Sequence, residues 1–358
     1  MAEILGRMLP LMQQLGIDAR WNVIKGHPDF FQTTKKFHNA IQGRKEKISW
    51  KEFSLLLDPS QGEAEEFLHG DIILVHDPQP IALVSKRMDL GEKWVWRCHI
   101  DVSDPPTHVW SFIQEFVTQY DAAVFTAPSF AQELPVRQFF IAPSIDPLSE
   151  KNKELSEATV ESVLAKYGIP RDKPIITQVS RFDHLKDPIG VVQAFEMVRG
   201  SMDCRLVLAG GIASDDPESD KVLAEVRERT AGNEDIHLLL LPPESHLEIN
   251  ALQRASAVIL QKSLREGFGL TVTEAMWKRK PVVASAVGGI TLQVKNNFNG
   301  LLCHNLEEAA NALKQLLSNP EYARRLGENG REYVRQNFLI TRHLRDYLLL
   351  FLSLSSSN

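Results

Sequence analysis

The sequence predicts an α/β protein built from two doubly wound domains. Three observations carry that prediction. Short β-rich apolar runs alternate with helical patterns along most of the chain. Its 358 residues are ample for two buried cores. A polar, proline-bearing stretch, PSIDPLSEKNKELSE (143–157), interrupts the alternation near the middle.

The first series of expected strands is RWNVI (20–24), DIILVH (71–76), WVWRCHI (94–100), AAVFTA (122–127) and FFIAP (139–143). The second is PIITQVS (174–180), RLVLAG (205–210), IHLLLL (236–241), AVILQ (257–261) and PVVAS (281–285). Helices are expected over 188–198, 219–230 and 306–317, between or after these runs. Such alternation indicates parallel sheets with crossover helices. The opening helix, 2–15, carries a stripe of Ile4, Leu5, Met8, Leu9, Met12 and Leu15 that must cover a sheet. The break at 143–157 divides the chain into domains at 1–145 and 146–338. A closing helix within 339–358 is expected to pack back on the first domain.

Composition excludes several classes. Hydrophobic residues make up 43% and charged residues 24%, ordinary values for a soluble globular protein. A net charge of −6 argues against broad nucleic-acid binding. Cys98, Cys204 and Cys303 are odd in number, far apart and in no CxxC arrangement. They form neither a disulfide framework nor a zinc site, which points to a reducing cytoplasm and no metal. The opening MAEILGRMLPLMQQLG lacks the features of a signal peptide, and YLLLFLSL near the end is too short to span a bilayer.

The chemistry concentrates in LREGFGLTVTEAMWKRKP (264–281). Gly267 and Gly269 permit a sharp turn that feeds a helix start. Backbone N–H groups exposed there attract anions, phosphate especially. Upstream, VSRFDHLKDP places Arg181 and Lys186 in a polar loop just after a strand. Arg offers a planar fork to phosphate oxygens, and Lys a compact charge. Glu266 and Glu274 admit three readings: a glycosidase acid and nucleophile about 5 Å apart or somewhat wider, a solvated pair with favourable helix electrostatics, or ligands for hydroxyl groups. The neighbouring cations favour the third. Two doubly wound domains facing one another would place such a ligand at the carboxyl ends of their strands.

SRFDHLKD followed by REGFGLTVTEAMW resembles the retaining, two-domain GT-B glycosyltransferases of family 4. FFQTTKKFHNAIQG, VHDPQP, WRCHID, PSIDPLSEKN and PIITQVSRFD narrow the resemblance to the group of trehalose glycosyltransferring synthases and trehalose phosphorylases. The resemblance implies two Rossmann-like domains and retaining transfer of glucose from a nucleotide-diphosphate glucose to glucose, reversibly, with no cofactor. Arg181 and Lys186 would grip the donor phosphates, and Glu274 the ribose. Glu266 would hold the donor glucose, cradled by the backbone of Gly267, Phe268, Gly269, Leu270 and Thr271. His99 would reach the sugar near the bond being broken. Lys35, His38, Asn39, Asp77 and Gln79 would lie on the acceptor side. A homodimer is common in this group. The rival readings are a phosphorylase using inorganic phosphate, and a binding homologue with impaired catalysis.

Each residue also has a plainer reading. His99 can be a core histidine, Asp77 and Asp101 loop caps, and Trp94, Trp96 and Trp277 packing residues. One departure stands out. The family begins with a β-strand and a glycine-rich loop, whereas MAEILGRMLP already corresponds to the first helix. The first strand of the N-terminal domain is therefore expected to be missing, giving nucleotide binding with weak transfer.

Overall fold

The computed structural model describes residues 2–24, 28–43, 46, 48–57, 69–88, 91–211 and 217–355. The chain forms two compact units, Met1–Pro143 together with Ile340–Asn358, and Ser144–Leu339.

In the first unit, α1 (Ala2–Gln14), α2 (Pro28–Ile41) and α3 (Trp50–Leu57) precede the sheet. The sheet holds β1 (Ile72–His76), β2 (Lys93–Arg97), β3 (Ala122–Phe125) and β4 (Arg137–Phe140), parallel and in that order, with α4 (Thr107–Val117) crossing between β2 and β3. Trp94, Val95, Trp96 and Arg97 of β2 are fully buried, as suits an inner parallel strand covered on both faces. Leu5, Met8 and Met12 of α1 meet Val95, Val124 and Ile141 of the sheet region. Tyr347, Leu350 and Leu354 of the chain's last helix join the same core.

The predicted strand at 20–24 does not form. Its apolar residues Trp21 and Val23 are 44% and 71% exposed, so β-favouring residues alone do not make a strand without a partner to pair. Leu15 likewise drops out of the α1 stripe and faces solvent.

The second unit carries a six-stranded parallel sheet in the order β10-β9-β8-β5-β6-β7. Its strands are β5 (Ile175–Val179), β6 (Arg205–Gly210), β7 (Ile236–Leu240), β8 (Val258–Gln261), β9 (Val282–Ser285) and β10 (Leu301–Cys303). The helices are α5 (Glu157–Lys166), α6 (Pro188–Arg199), α7 (Pro217–Thr230), α8 (His246–Ala255), α9 (Leu270–Trp277), α10 (Ile290–Gln293), α11 (Leu306–Ser318) and α12 (Pro320–Asn337). Alternation along β6 divides the core. Leu206 and Leu208 pack with Val191, Val192 and Phe195 of α6, while Val207 and Ala209 pack with Val160 and Leu164 of α5 and Leu252 of α8. The three-residue β10 escaped prediction because it is too short to show a pattern.

Strand order reverses between β5 and β8. The chain runs outward through β6 and β7, then returns to the other side of β5. The carboxyl ends of strands beside such a switch point, here β5 and β8, are the usual place for a ligand in this architecture. The last helix, α13 (Ile340–Ser355), belongs to the first unit. The Arg342 guanidinium ties it there by donating to the carbonyls of Ala142 at 2.8 Å and Pro143 at 2.9 Å.

Candidate active site

The second unit gathers its candidate residues at the switch point. After β5 the chain turns through a short 3-10 segment, His184–Lys186. Asp183 starts that turn by accepting the Leu185 amide at 2.8 Å. The side chain of Gln178 donates to the Lys186 carbonyl at 2.8 Å, and the amide of Leu264 donates to the Leu185 carbonyl at 2.8 Å. The loops after β5 and β8 are thus stitched together. As a result the Lys186 ammonium lies 2.6 Å from Glu266 Oε2, although the residues are 80 apart in sequence. Ser263 donates to the same oxygen at 3.2 Å, and Gln261 supports Ser263 at 3.0 Å. Arg181 sits at the same strand end but stands apart. Its side chain is 52% exposed, and its ion pair is with Asp183 at 3.5 Å.

The turn Gly267–Gly269 is aimed by its carbonyls. Gln293 donates to the carbonyls of Phe268 and, at 3.3 Å, Gly269. The Gly289 amide donates to the Glu266 carbonyl at 3.1 Å. Gly289 also has to be glycine, because a Cβ there would lie 2.3 Å from the Gly267 carbonyl oxygen. Phe268 anchors the turn inward, 5% exposed and edge-on to Phe338. Gly269 enters α9 at φ +85°, where glycine alone is unstrained. Among the described residues no side chain caps α9, so the amides of Leu270 and Thr271 stay open to an anion.

Glu274 lies inside α9, 3% exposed. Lys151 approaches its Oε1 at 3.6 Å. Lys278, itself buried, donates to the Glu274 carbonyl at 3.1 Å and to Asn152 Oδ1 at 3.0 Å. Burial pushes the Lys278 ammonium below its usual range, against the pull of Glu274. The sequence analysis missed Lys151, Ser263, Lys278 and Gln293. Lys278 falls four residues after Glu274, a spacing that could have flagged it. Lys151 stood in a stretch read as a domain junction. Trp277, by contrast, is a packing residue, with the Arg331 guanidinium 4.5 Å over its ring.

In the first unit the candidates gather at the ends of β1 and β2. Asp77 turns the chain at φ +67°, a left-handed conformation that Asp tolerates. Its amide donates to the Arg97 carbonyl at 2.7 Å, and its Oδ1 accepts the His99 amide at 3.0 Å. Asp77 therefore joins two strand ends rather than capping its own loop. Asp101 does act as a cap, accepting the Ser103 amide at 3.0 Å. His76 Nδ1 and His99 Nε2 are 2.9 Å apart.

His76, Asp77 and His99 are partly buried. Burial, aided by the nearby Arg97 charge, holds His76 down to about 3 and His99 well below its usual value. Burial also pushes Asp77 up to about 6, opposed by the His99 amide and Arg97. The guanidinium of Arg97 is fully buried and donates to the Ile141 carbonyl at 2.7 Å. The sequence analysis assigned no role to His76 or Arg97. Gln79 lies in the turn before a 3-10 segment, Ile81–Lys86, with its side-chain oxygen buried. Lys35, His38 and Asn39 share one face of α2 by their spacing. Phe37, on the opposite side, packs edge-on to Phe53 and Phe112.

Among the described residues no cluster of three or more His, Cys, Asp or Glu side chains could hold a metal ion, and no helix is long and apolar enough to cross a membrane. The three cysteines are buried free thiols.

Comparison with known proteins agrees with this layout. The trehalose synthase N-terminal domain family matches residues 1–132, and the group 1 glycosyl transferase family matches residues 160–333. A trehalose synthase from Thermococcus litoralis is 43% identical over 97% of this chain and 86% of its own length. A trehalose phosphorylase from Pleurotus pulmonarius is more distant, 27% identical over 82% of this chain and 47% of its own. Among solved structures, a sucrose-phosphate synthase from Thermosynechococcus elongatus matches with a TM-score of 0.70 at 21% identity, covering 88% of this chain and 82% of that one. The fold is therefore that of the two-domain GT-B enzymes. With so high an identity over almost its whole length, the chain belongs to the trehalose synthase family of glycosyltransferases.

Proposed function

We propose that this chain transfers glucose from a nucleotide-diphosphate glucose to free glucose, forming trehalose with retention, and that it runs the same reaction in reverse. The observation that carries this reading is the 2.6 Å contact between Lys186 and Glu266 beside the open amides of Leu270 and Thr271. One small region then offers a cation and N–H donors to a diphosphate and a carboxylate to sugar hydroxyls.

In this reading Lys186, Arg181 and the α9 amides receive the charge that grows on the leaving diphosphate. Stabilisation that is stronger in the transition state than in the ground state is what accelerates the step. Glu266 orients the donor glucose, and Glu274 takes the ribose. The bond from the anomeric carbon to the phosphate oxygen breaks as the bond to the acceptor oxygen forms on the same face. The acceptor proton passes to the departing phosphate oxygen. His99 is assigned to the donor sugar, and Asp77, Gln79 and the α2 residues Lys35, His38 and Asn39 to the acceptor. Diphosphate charge is met by protein cations, so neither a cofactor nor a metal is required. The buried free thiols suit a cytoplasmic enzyme.

A product assay tests this. The chain is supplied with glucose and, in turn, UDP-, ADP- and GDP-glucose, and trehalose is measured. Trehalose should appear with at least one donor. Trehalose breakdown that needs inorganic phosphate and ignores nucleoside diphosphate would replace this reading with a phosphorylase. Nucleotide binding with no product from any donor would replace it with a binding role.

A further inference from the structure

We propose that His76 is a positioning residue for His99, fixing the plane of that ring and leaving Nδ1 as the nitrogen His99 offers to the donor sugar. The proposal rests on the placement of His99 at the sugar, and its test separates the two ideas.

The ring geometry is specific. The two imidazoles are inclined by 8°, with centroids 5.2 Å apart and Nδ1 of His76 2.9 Å from Nε2 of His99. Ring atoms in a stacked pair stop at van der Waals contact, roughly 3.5 Å. A 2.9 Å approach is a hydrogen bond instead, so the rings meet edge to edge in nearly one plane. One proton lies between them, and each neutral ring keeps a single N–H.

His99 needs such a partner. Asp77 Oδ1 holds its backbone amide, but this leaves rotation of the ring free. Among the described residues His99 Nδ1 has no hydrogen-bond partner and is buried. With Nε2 committed to His76, Nδ1 is the nitrogen left for a ligand.

Protonation of both rings would set N–H against N–H and break the contact, whereas a single added proton can sit on an outer nitrogen. The charged and titratable neighbours bear on this. Arg97 of β2 and the chain's amino group add positive charge, and His343 of α13 is itself held neutral by burial. Asp77 is the one neighbouring carboxylate among these, and it is spent on the His99 amide. The pair therefore stays neutral, with its geometry intact, through the range in which an ordinary histidine titrates.

The experiment compares His76→Asn, whose amide can reach the place of Nδ1, with His76→Leu, which cannot bond there. His99→Ala and the double variant His76→Leu/His99→Ala complete the set, all in the full chain. His76→Leu is expected to lower kcat roughly tenfold or more, with KM for the nucleotide sugar nearly unchanged, because a misaimed contact acts on the chemical step. His76→Asn should recover most of that loss. The double variant should be no slower than His99→Ala, since His76 acts through His99. The pH profile of His76→Leu should gain a fall on the acid side that His76→Asn lacks. If His99→Ala keeps full activity, the placement of His99 fails and this inference with it. If His99→Ala is impaired while His76→Leu is not, the inference alone is overturned. It is also overturned if Leu and Asn lose kcat equally, in step with a lowered melting temperature.

Discussion

The two units place their candidate residues at the same topological position, the carboxyl ends of neighbouring parallel strands, yet treat charge in opposite ways. In the second unit charges are kept and paired. Lys186 meets Glu266, Lys262 meets Asp187, and Lys151 meets Glu274. In the first unit His76, His99 and His343 are stripped of charge by burial, around a buried Arg97 that donates to the Ile141 carbonyl. On the proposed function, the difference follows from what each end would have to do. A diphosphate arrives with formal charge and needs cations already held in place. A sugar is neutral, so strong fixed charge beside it gives little selectivity, whereas aimed neutral donors and acceptors give direction. Shared topology sets where each site lies, and the local polar chemistry sets what it binds.

The sharpest way to break the comparison is to remove the cations of the second unit. Lys186→Ala is expected to lower kcat a hundredfold or more, on the scale of roughly 3 kcal/mol for a lost transition-state contact. Arg181→Ala should also lower kcat about a hundredfold, because a flexible, half-exposed guanidinium can swing to the phosphates. Turnover numbers on folded variants decide this. Near-normal values for both would remove the diphosphate from this end of the unit.

The glutamates sharpen the same point. Glu266→Gln should lower kcat roughly tenfold to a hundredfold, because its partner Lys186 is proposed to sit where charge changes during reaction. Glu274→Gln should instead weaken nucleotide binding with a smaller change in kcat, since ribose hydroxyls are held alike throughout the reaction. Calorimetry with free nucleoside diphosphate gives the first quantity for each variant. Equal losses of affinity would merge the two roles.

The next test concerns the first unit and pH. His76 is depressed to about 3 and His343 to about 2 by burial, and His99 is depressed as well. A histidine lowered in the folded state leaves the unfolded chain binding more protons below its ordinary value near 6.5. Stability from these three is complete above about pH 6.5 and is lost as pH falls toward 3. Asp77 works the other way. Raised to about 6, it favours the fold at low pH and gives up that contribution as pH climbs from 3.8 to 6. Three histidines outweigh one carboxyl, so the unit should weaken on acidification. Each histidine contributes up to about 1.4 kcal/mol per pH unit below 6.5. Urea midpoints between pH 7.5 and 5.5, followed by fluorescence of the buried Trp94 and Trp96, measure it. A flat midpoint would mean the histidines carry protons in the fold.

What was legible in the sequence follows this same contrast. Residues 264–281 were readable because glycine geometry, a helix start and nearby cations are local signals. The Lys186–Glu266 contact was not, since it depends on loops from two strands joined by the Leu264 amide and Leu185 carbonyl. The strands of the second unit were legible as continuous apolar runs, as buried parallel strands are. RWNVI looked like a strand by composition and failed, because pairing is a tertiary property. The His76–His99 bond escaped for a related reason. It joins residues 23 apart through the β1–β2 register, in which His76 lies opposite Arg97, and nothing local marks it.

The smallest expected effect asks how far the charge pairing of the second unit extends from the reacting end. Asp187 does three things. It adopts a left-handed backbone at φ +47°, caps α6 by accepting the Gly190 amide at 3.0 Å, and pairs with Lys262. The pair lies directly over Gly190, where a Cβ would come within 2.2 Å of the Asp187 carboxylate and 2.7 Å of the Lys262 ammonium. Asn can keep the first two functions, because it tolerates that backbone and is as good a cap. Asp187→Asn therefore isolates the ion pair, at an expected cost of about 1 kcal/mol in stability for a partly buried contact. Asp187→Ala should cost about 1 kcal/mol more, through loss of the cap. Lys262 has no assigned place at the diphosphate, so kcat of the Asn variant should stay within roughly twofold of the unaltered chain. A loss of kcat approaching that of Lys186→Ala would extend the reacting charge to Lys262, and the line between binding charges and fold-holding charges in this unit would have to be redrawn.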